Sequence, residues 1–194
     1  MLTMRSRTIK NERKSMKLPT KRECFDLLKE YRLPQNVIAH SKAVNALSVF
    51  LAERLRNSGV KIDVDLVDRA SLLHDLDKII TLGKKSHGFE TEKILKGMGY
   101  PELGRTAKKH KFSFVKGLDS WEEKVINYAD KRCLEDKIVS LKERFAYLKK
   151  KYGIADRGSE RLYYKIEKEI FSIIGIHFTS AERLAEELKA LGSF

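Results

Sequence analysis

The chain has 194 residues, enough for one domain with a sizeable core. Forty Lys and Arg against 27 Asp and Glu leave a net charge of +13, which reads either as an anionic partner or substrate or as plain solubility with a basic tail. Two widely separated cysteines, Cys24 and Cys133, exclude a disulfide framework and a zinc knuckle, and no apolar stretch is long enough for a membrane span. The N-terminus has no apolar signal-peptide core, so a reducing cytoplasm is the expected location.

Residues 1–20 carry six basic residues, one acid and no helical stripe, and read as a flexible basic tail that is either merely solvated or able to touch nucleic acid. A short helix is predicted over 21–32 and a long one over 35–58, ending at "NSG". "VDLVDRASLLHDLDK" reads as a third helix and "TLGKKS" as a loop. A fourth helix starts after Ser86, taken as its N-cap, and stops at Gly97–Gly99, and Pro101 opens a fifth running to Lys111. One long helix is predicted from Trp121 to Lys151, with two more over 158–173 and 180–191. With 3 prolines, 11 glycines, no alternating pattern and no repeat, the expected class is all-α. The expected organisation is a tail, one helical domain over 21–152, and C-terminal helices over 153–194 packing on that domain.

Several costly residues fall on the apolar stripes. His40 lies three after Val37 and four before Val44; Val67 and Ala70 lead to His74; Leu103 and Ala107 lead to His110; Asp130 shares a face with Ile126 and Cys133. Asp75 follows His74, and His87 stands at a helix start. Buried without partners, such groups cost several kcal/mol each, whereas a divalent ion takes neutral imidazole and carboxylate as ligands.

The ordered set His40, His74–Asp75, His87, His110, Asp130, with the strings "LPQNVIAHSKAV", "LVDRASLLHDLDK", "SHGFETEKILKGMGYPELGRTAKKH" and "NYADKRCLEDKIVSLKERF", resembles the HD-domain superfamily of metal-dependent phosphohydrolases, in its HDIG-type branch. The resemblance spans roughly residues 33–152. It implies a helical HD-domain bundle in which His40, His74, Asp75 and Asp130 hold one ion. It further implies that His87 and His110 complete a second site, with Asp75 bridging the two. Asp77 departs from the pattern, which has a small residue there, and adds negative charge that bears on metal preference or substrate approach. Lys111 stands where relatives that cleave dinucleoside polyphosphates have a small hydroxyl residue, so that substrate is not carried over.

On this reading, Asp75 is catalytic through the metals, and Lys78 either reaches a phosphate oxygen or is a solvated helix-end lysine. Lys111 is a substrate-binding candidate among the lysines bracketing His110. Arg144 is either a phosphate clamp or a surface partner of Glu143 or Asp136. His177 is taken as structural, and Tyr163 and Tyr164 either stack on a base or serve core packing or a dimer surface. Four imidazoles and two carboxylates favour one or two ions of Mn, Fe, Co, Ni or Zn. The expected partner is a small phosphorylated, nucleotide-type substrate, with a homodimer also open and no membrane. A di-iron oxygenase on the same scaffold and a basic nucleic-acid-binding protein with structural metals are the alternatives.

Overall fold

The computed structural model describes residues 17–84, 86–176 and 181–190. His177, Lys85 and residues 1–16 of the expected tail lie outside them. Residues 17–20 belong to the folded body: Pro19 is buried and its carbonyl accepts from Arg69 Nε at 2.9 Å.

The described residues form nine α-helices, one 3-10 helix and a two-stranded hairpin, an all-α architecture. Helix α1 (Lys21–Glu30) starts in a capping box between Thr20 and Glu23. Helices α2 (Gln35–Asn57), α3 (Val64–Leu73) and α6 (Trp121–Arg132) pack on one another at the centre. Val44, Leu47, Leu51, Val67, Leu72 and Ile126 are fully buried between them. Removing such side chains from water is the main favourable contribution, about 1.5–3 kcal/mol each.

Helices α4 (Phe89–Gly97) and α5 (Pro101–Lys108) form a hairpin against α3. Gly104 allows their close approach, since a Cβ there would stand 2.8 Å from the Glu92 carbonyl oxygen. Beyond a 3-10 helix (Phe112–Gly117), α6 leads to the strands β1 (Cys133–Leu134) and β2 (Lys137–Ile138), then α7 (Leu141–Tyr152) and α8 (Arg157–Ile174). Helix α8 lies against α2, α6, α7 and the 3-10 helix, and α9 (Ala181–Ala190) against α2 and β2.

Four expected boundaries are corrected. The third helix stops at Leu73 rather than Lys78; residues 74–83 continue as successive turns, with Lys78 N bonded to the Asp75 carbonyl and Thr81 N to that of Asp77. Helix α5 ends at Lys108, so His110 follows it. The N-cap of α4 is Gly88, not Ser86, because the buried Asp77 carboxylate accepts from Gly88 N at 2.6 Å and Thr91 N at 3.1 Å. Gly88 also needs its φ of +82°.

The fourth correction concerns the single helix expected from Trp121 to Lys151, which is broken by the hairpin. Cys133 is extended, Glu135 turns the chain at φ +56°, and Ser140 with Glu143 opens α7 in a second capping box. That box was legible as "SLKE", but the surrounding charged residues suit a continuous helix equally well. The glutamate of the box is thereby committed to Ser140, and the next residue, Arg144, turns inward.

Candidate metal centre

Six side chains from five parts of the chain converge. His40 comes from the middle of α2, His74 and Asp75 from the end of α3, His87 from the turn before α4, His110 from the turn after α5, and Asp130 from the last turn of α6. They form two triads, His40–His74–Asp130 and Asp75–His87–His110, with the facing ligand atoms of each within 4.8 Å of one another. In the first, Asp130 Oδ1 lies 3.0 Å from His40 Nε2 and 3.8 Å from His74 Nε2. In the second, Asp75 Oδ1 lies 3.1 Å from His87 Nε2 and 3.6 Å from His110 Nε2. The other oxygen of Asp75 faces the first triad, 3.7 Å from His74 Nε2.

All four imidazoles are held at Nδ1 by an oxygen atom. His40 Nδ1 meets the Glu135 carbonyl at 2.8 Å, His74 Nδ1 that of Ser71 at 2.7 Å, and His110 Nδ1 that of Ala107 at 2.8 Å. His87 Nδ1 meets Asp77 Oδ1 at 2.7 Å. An oxygen acceptor at Nδ1 places the proton there and leaves the Nε2 lone pair pointing into the centre, as a metal-ligating histidine requires. The break after α6 now has a use: the hairpin carries the left-handed Glu135 whose carbonyl orients His40.

The donor set fits a divalent cation. His74 Nε2 is buried and has no hydrogen-bond partner, and the Nε2 atoms of His87 and His110 face each other at 3.1 Å. Two carboxylates and several lone pairs around one space demand positive charge. Burial pushes Asp75 up, but His74, Lys78, His87 and His110 outweigh it and hold the carboxyl well below the usual range. Burial likewise opposes ionisation of Asp130, yet Lys131, His40 and His74 keep it well below that range. Burial lowers His74, and burial together with His74 lowers His110 strongly, in the direction of the neutral, ligating form. Burial opposes protonation of His87 as well, but hydrogen bonds to Asp75 and Asp77 raise its pKa to about 9, so that a proton occupies this position until an ion displaces it.

Cations surround the acids. Lys78 Nζ lies 3.2 Å from Asp75 Oδ2 and its side chain is 41% exposed, so it stands at the open side of the centre. Arg144 is not on the surface beside Glu143: its side chain is 12% exposed, its Nη2 lies 4.0 Å from Asp130 Oδ1, and its Nε is buried without a hydrogen-bond partner. Lys111 runs along Gly88, next to His110, and sits over the Phe89 ring at 4.8 Å. Tyr163 is buried, stacked on Phe112 and packed on Phe145, which leaves core packing as its observed role; Tyr164 is half exposed.

Two residues at the centre have contacts that the sequence did not reveal. Lys131 is buried, pairs with Asp130 and donates to the His110 carbonyl at 3.0 Å. A lysine in the last turn of a helix ordinarily reads as a dipole partner, and the closing turns of α6 are buried all round, so no stripe marks it. Asp77 is fully buried, and its carboxylate meets His87 rather than the open side of the centre.

Among the described residues, no helix is long and apolar enough to cross a membrane. The chain is 29% identical over 134 residues to an uncharacterized protein of Methanocaldococcus jannaschii, an alignment covering 61% of this chain and 79% of the relative. No solved structure matches it. The family model for the HD domain matches residues 37–148, which include all six converging side chains. The chain therefore belongs to the HD-domain family.

Proposed function

We propose that this protein is a metal-dependent phosphohydrolase of the HDIG type whose two triads hold a pair of divalent transition-metal ions, and that it hydrolyses a small phosphorylated substrate of nucleotide type. The observation that carries this reading is Asp75, whose two oxygens face different triads. A carboxylate so placed would serve both ions of a two-ion centre. When bound, such ions supply a Lewis acid for a phosphoryl oxygen and an acidified water.

The chain's own groups do the rest. The four imidazoles present Nε2 without reorganisation, because each ring is already held at Nδ1. Burial lowers Lys78, but Asp75 and Asp130 raise it further, so its ammonium stays charged and can donate to a phosphoryl oxygen at the open side. Arg144 adds positive charge beside Asp130, which favours an anionic substrate over a neutral one. The donor set of imidazole and carboxylate supports Fe, Mn, Co, Ni or Zn rather than Mg or Ca.

The test is metal content and hydrolysis measured together. Protein purified without a histidine tag or chelator should carry close to two transition ions per chain and cleave phosphate esters or nucleotides with that metal. Asp75→Ala should abolish turnover. Full activity in Asp75→Ala, or no hydrolysis by the two-ion protein across mono- and diester screens, would remove the proposal.

A further inference from the structure

Three of the four imidazoles are held by main-chain carbonyls, those of Glu135, Ser71 and Ala107, which any side chain at those positions would supply. The fourth is different. His87 Nδ1 bonds to a carboxylate oxygen of Asp77, at 2.7 Å. His87 is also the most exposed of the four, at 23% for its side chain. It stands in a turn between Gly83 and Gly88, both at positive φ, and not on a helix that would fix its direction.

Asp77 is itself rigidly held. It is fully buried; its N–H donates to Thr91 Oγ1 at 3.2 Å, and its carbonyl accepts from Thr81 Oγ1 at 2.7 Å. Its two carboxylate oxygens divide their work: Oδ2 takes the Gly88 and Thr91 amides at the start of α4, and Oδ1 faces His87. Capping alone needs one acceptor oxygen, which a Ser or Thr side chain would also provide. The second oxygen, and the charge, answer to the imidazole.

From this we infer that Asp77 is a positioning residue for the second ion: it fixes the His87 ring and its tautomer, strengthens His87 as a donor, and makes occupancy of the Asp75–His87–His110 triad depend on a side chain that the first triad does not use. The inference rests on the reading that both triads hold ions. A carboxylate behind a metal-bound imidazole orients the ring and raises its basicity, and losing it costs about 10- to 100-fold in affinity.

The decisive variant is Asp77→Asn. Its amide oxygen can still take the Gly88 and Thr91 amides, so the cap survives. The NH2 then faces His87 Nδ1, which must offer a lone pair and carry its proton on Nε2, the wrong atom for an ion. A capping role alone would be rescued by asparagine, while a positioning role would not.

The experiment is titration of chelator-stripped protein with Co²⁺, followed by visible absorption and by bound metal per chain. The wild-type chain should take two equivalents. Asp77→Asn should take the first with unchanged affinity and the second about 10- to 100-fold more weakly. Two equivalents at wild-type affinity in the variant, or equal weakening of both, would overturn the inference. So would a wild-type chain that takes only one ion, an outcome that leaves a mononuclear hydrolase standing. Should the variant not fold, ¹⁵N spectra of the Zn²⁺-loaded wild-type chain decide instead. The His87 Nδ1–H proton should then lie furthest downfield of the four, and one indistinguishable from the carbonyl-backed three would overturn the assignment. Phosphate-ester activity enters neither readout, so the inference can fail while the proposed hydrolysis stands.

Discussion

Asp130 neutralises two inward cations while serving as the proposed ligand of the first ion, and these two duties can be separated. Lys131 is 4% exposed, with the Asp130 carboxylate and the His110 carbonyl as its partners, and Arg144 Nη2 stands 4.0 Å from the same carboxylate. Asp130→Asn keeps the shape but leaves the two cations facing each other in the interior. Removing one partner of a buried pair costs about 3–5 kcal/mol. At roughly 2–4 °C per kcal/mol for a chain of this length, Tm of the chelator-treated protein should fall by about 6–20 °C. Metal content should fall by about one ion per chain. The double variant Asp130→Asn with Lys131→Met should recover most of the stability and none of the metal, because the methionine needs no counter-charge. The assay is calorimetry with and without chelator, paired with elemental analysis. A Tm drop below about 2 °C in the single variant would refute the claim that this carboxylate neutralises buried cations. Full metal content in the double variant would refute its role as a ligand.

Further outcomes follow from the same geometry. Lys78→Ala should lower kcat about 100-fold with metal content unchanged, since it removes a single charged donor at the open side; loss of metal instead would show that Lys78 maintains Asp75. Asp156 caps α8, and hydrogen bonds from Ser159 hold its carboxyl down to about 2. Its folded pKa is depressed, so its contribution is present above the unfolded value of 3.8 and lost as pH falls toward 2. Urea midpoints between pH 5 and pH 2.5 should therefore fall more steeply in the wild-type chain than in Asp156→Asn. Gly104→Ala puts a methyl group 2.8 Å from the Glu92 carbonyl and should cost about 1–3 kcal/mol by thermal melting; a neutral result would mean that α4 and α5 separate at little cost.

The ordered histidines and aspartates were legible because burying such residues on apolar stripes makes physical sense only when they meet. That argument works for His40 and Asp130, which sit inside helices, and it reaches His74 and His110 even though both fall just past a helix end. It fails for whatever is not periodic. The hairpin after Arg132 puts the Glu135 carbonyl against His40, and a main-chain acceptor leaves no trace in side-chain pattern. Arg144 has two plausible addresses in the sequence, and only the packing of α7 turns it toward Asp130. Lys131 looks like any lysine at a helix end until α6 is seen to be buried all round.

By itself, then, the sequence determined the helical class and the inward placing of His40, His74, His110 and Asp130, which depend on local periodicity and on the high cost of unpaired buried charge, while Asp75 and His87 joined them through the resemblance to the family pattern. Tertiary structure alone decided how they divide into two triads, which nitrogen of each ring faces inward, and which neighbour holds it there. The physical reason is that tautomer and orientation are set by a hydrogen bond at Nδ1. Three of those acceptors are main-chain carbonyls, and the fourth is an aspartate ten residues from its histidine in the chain.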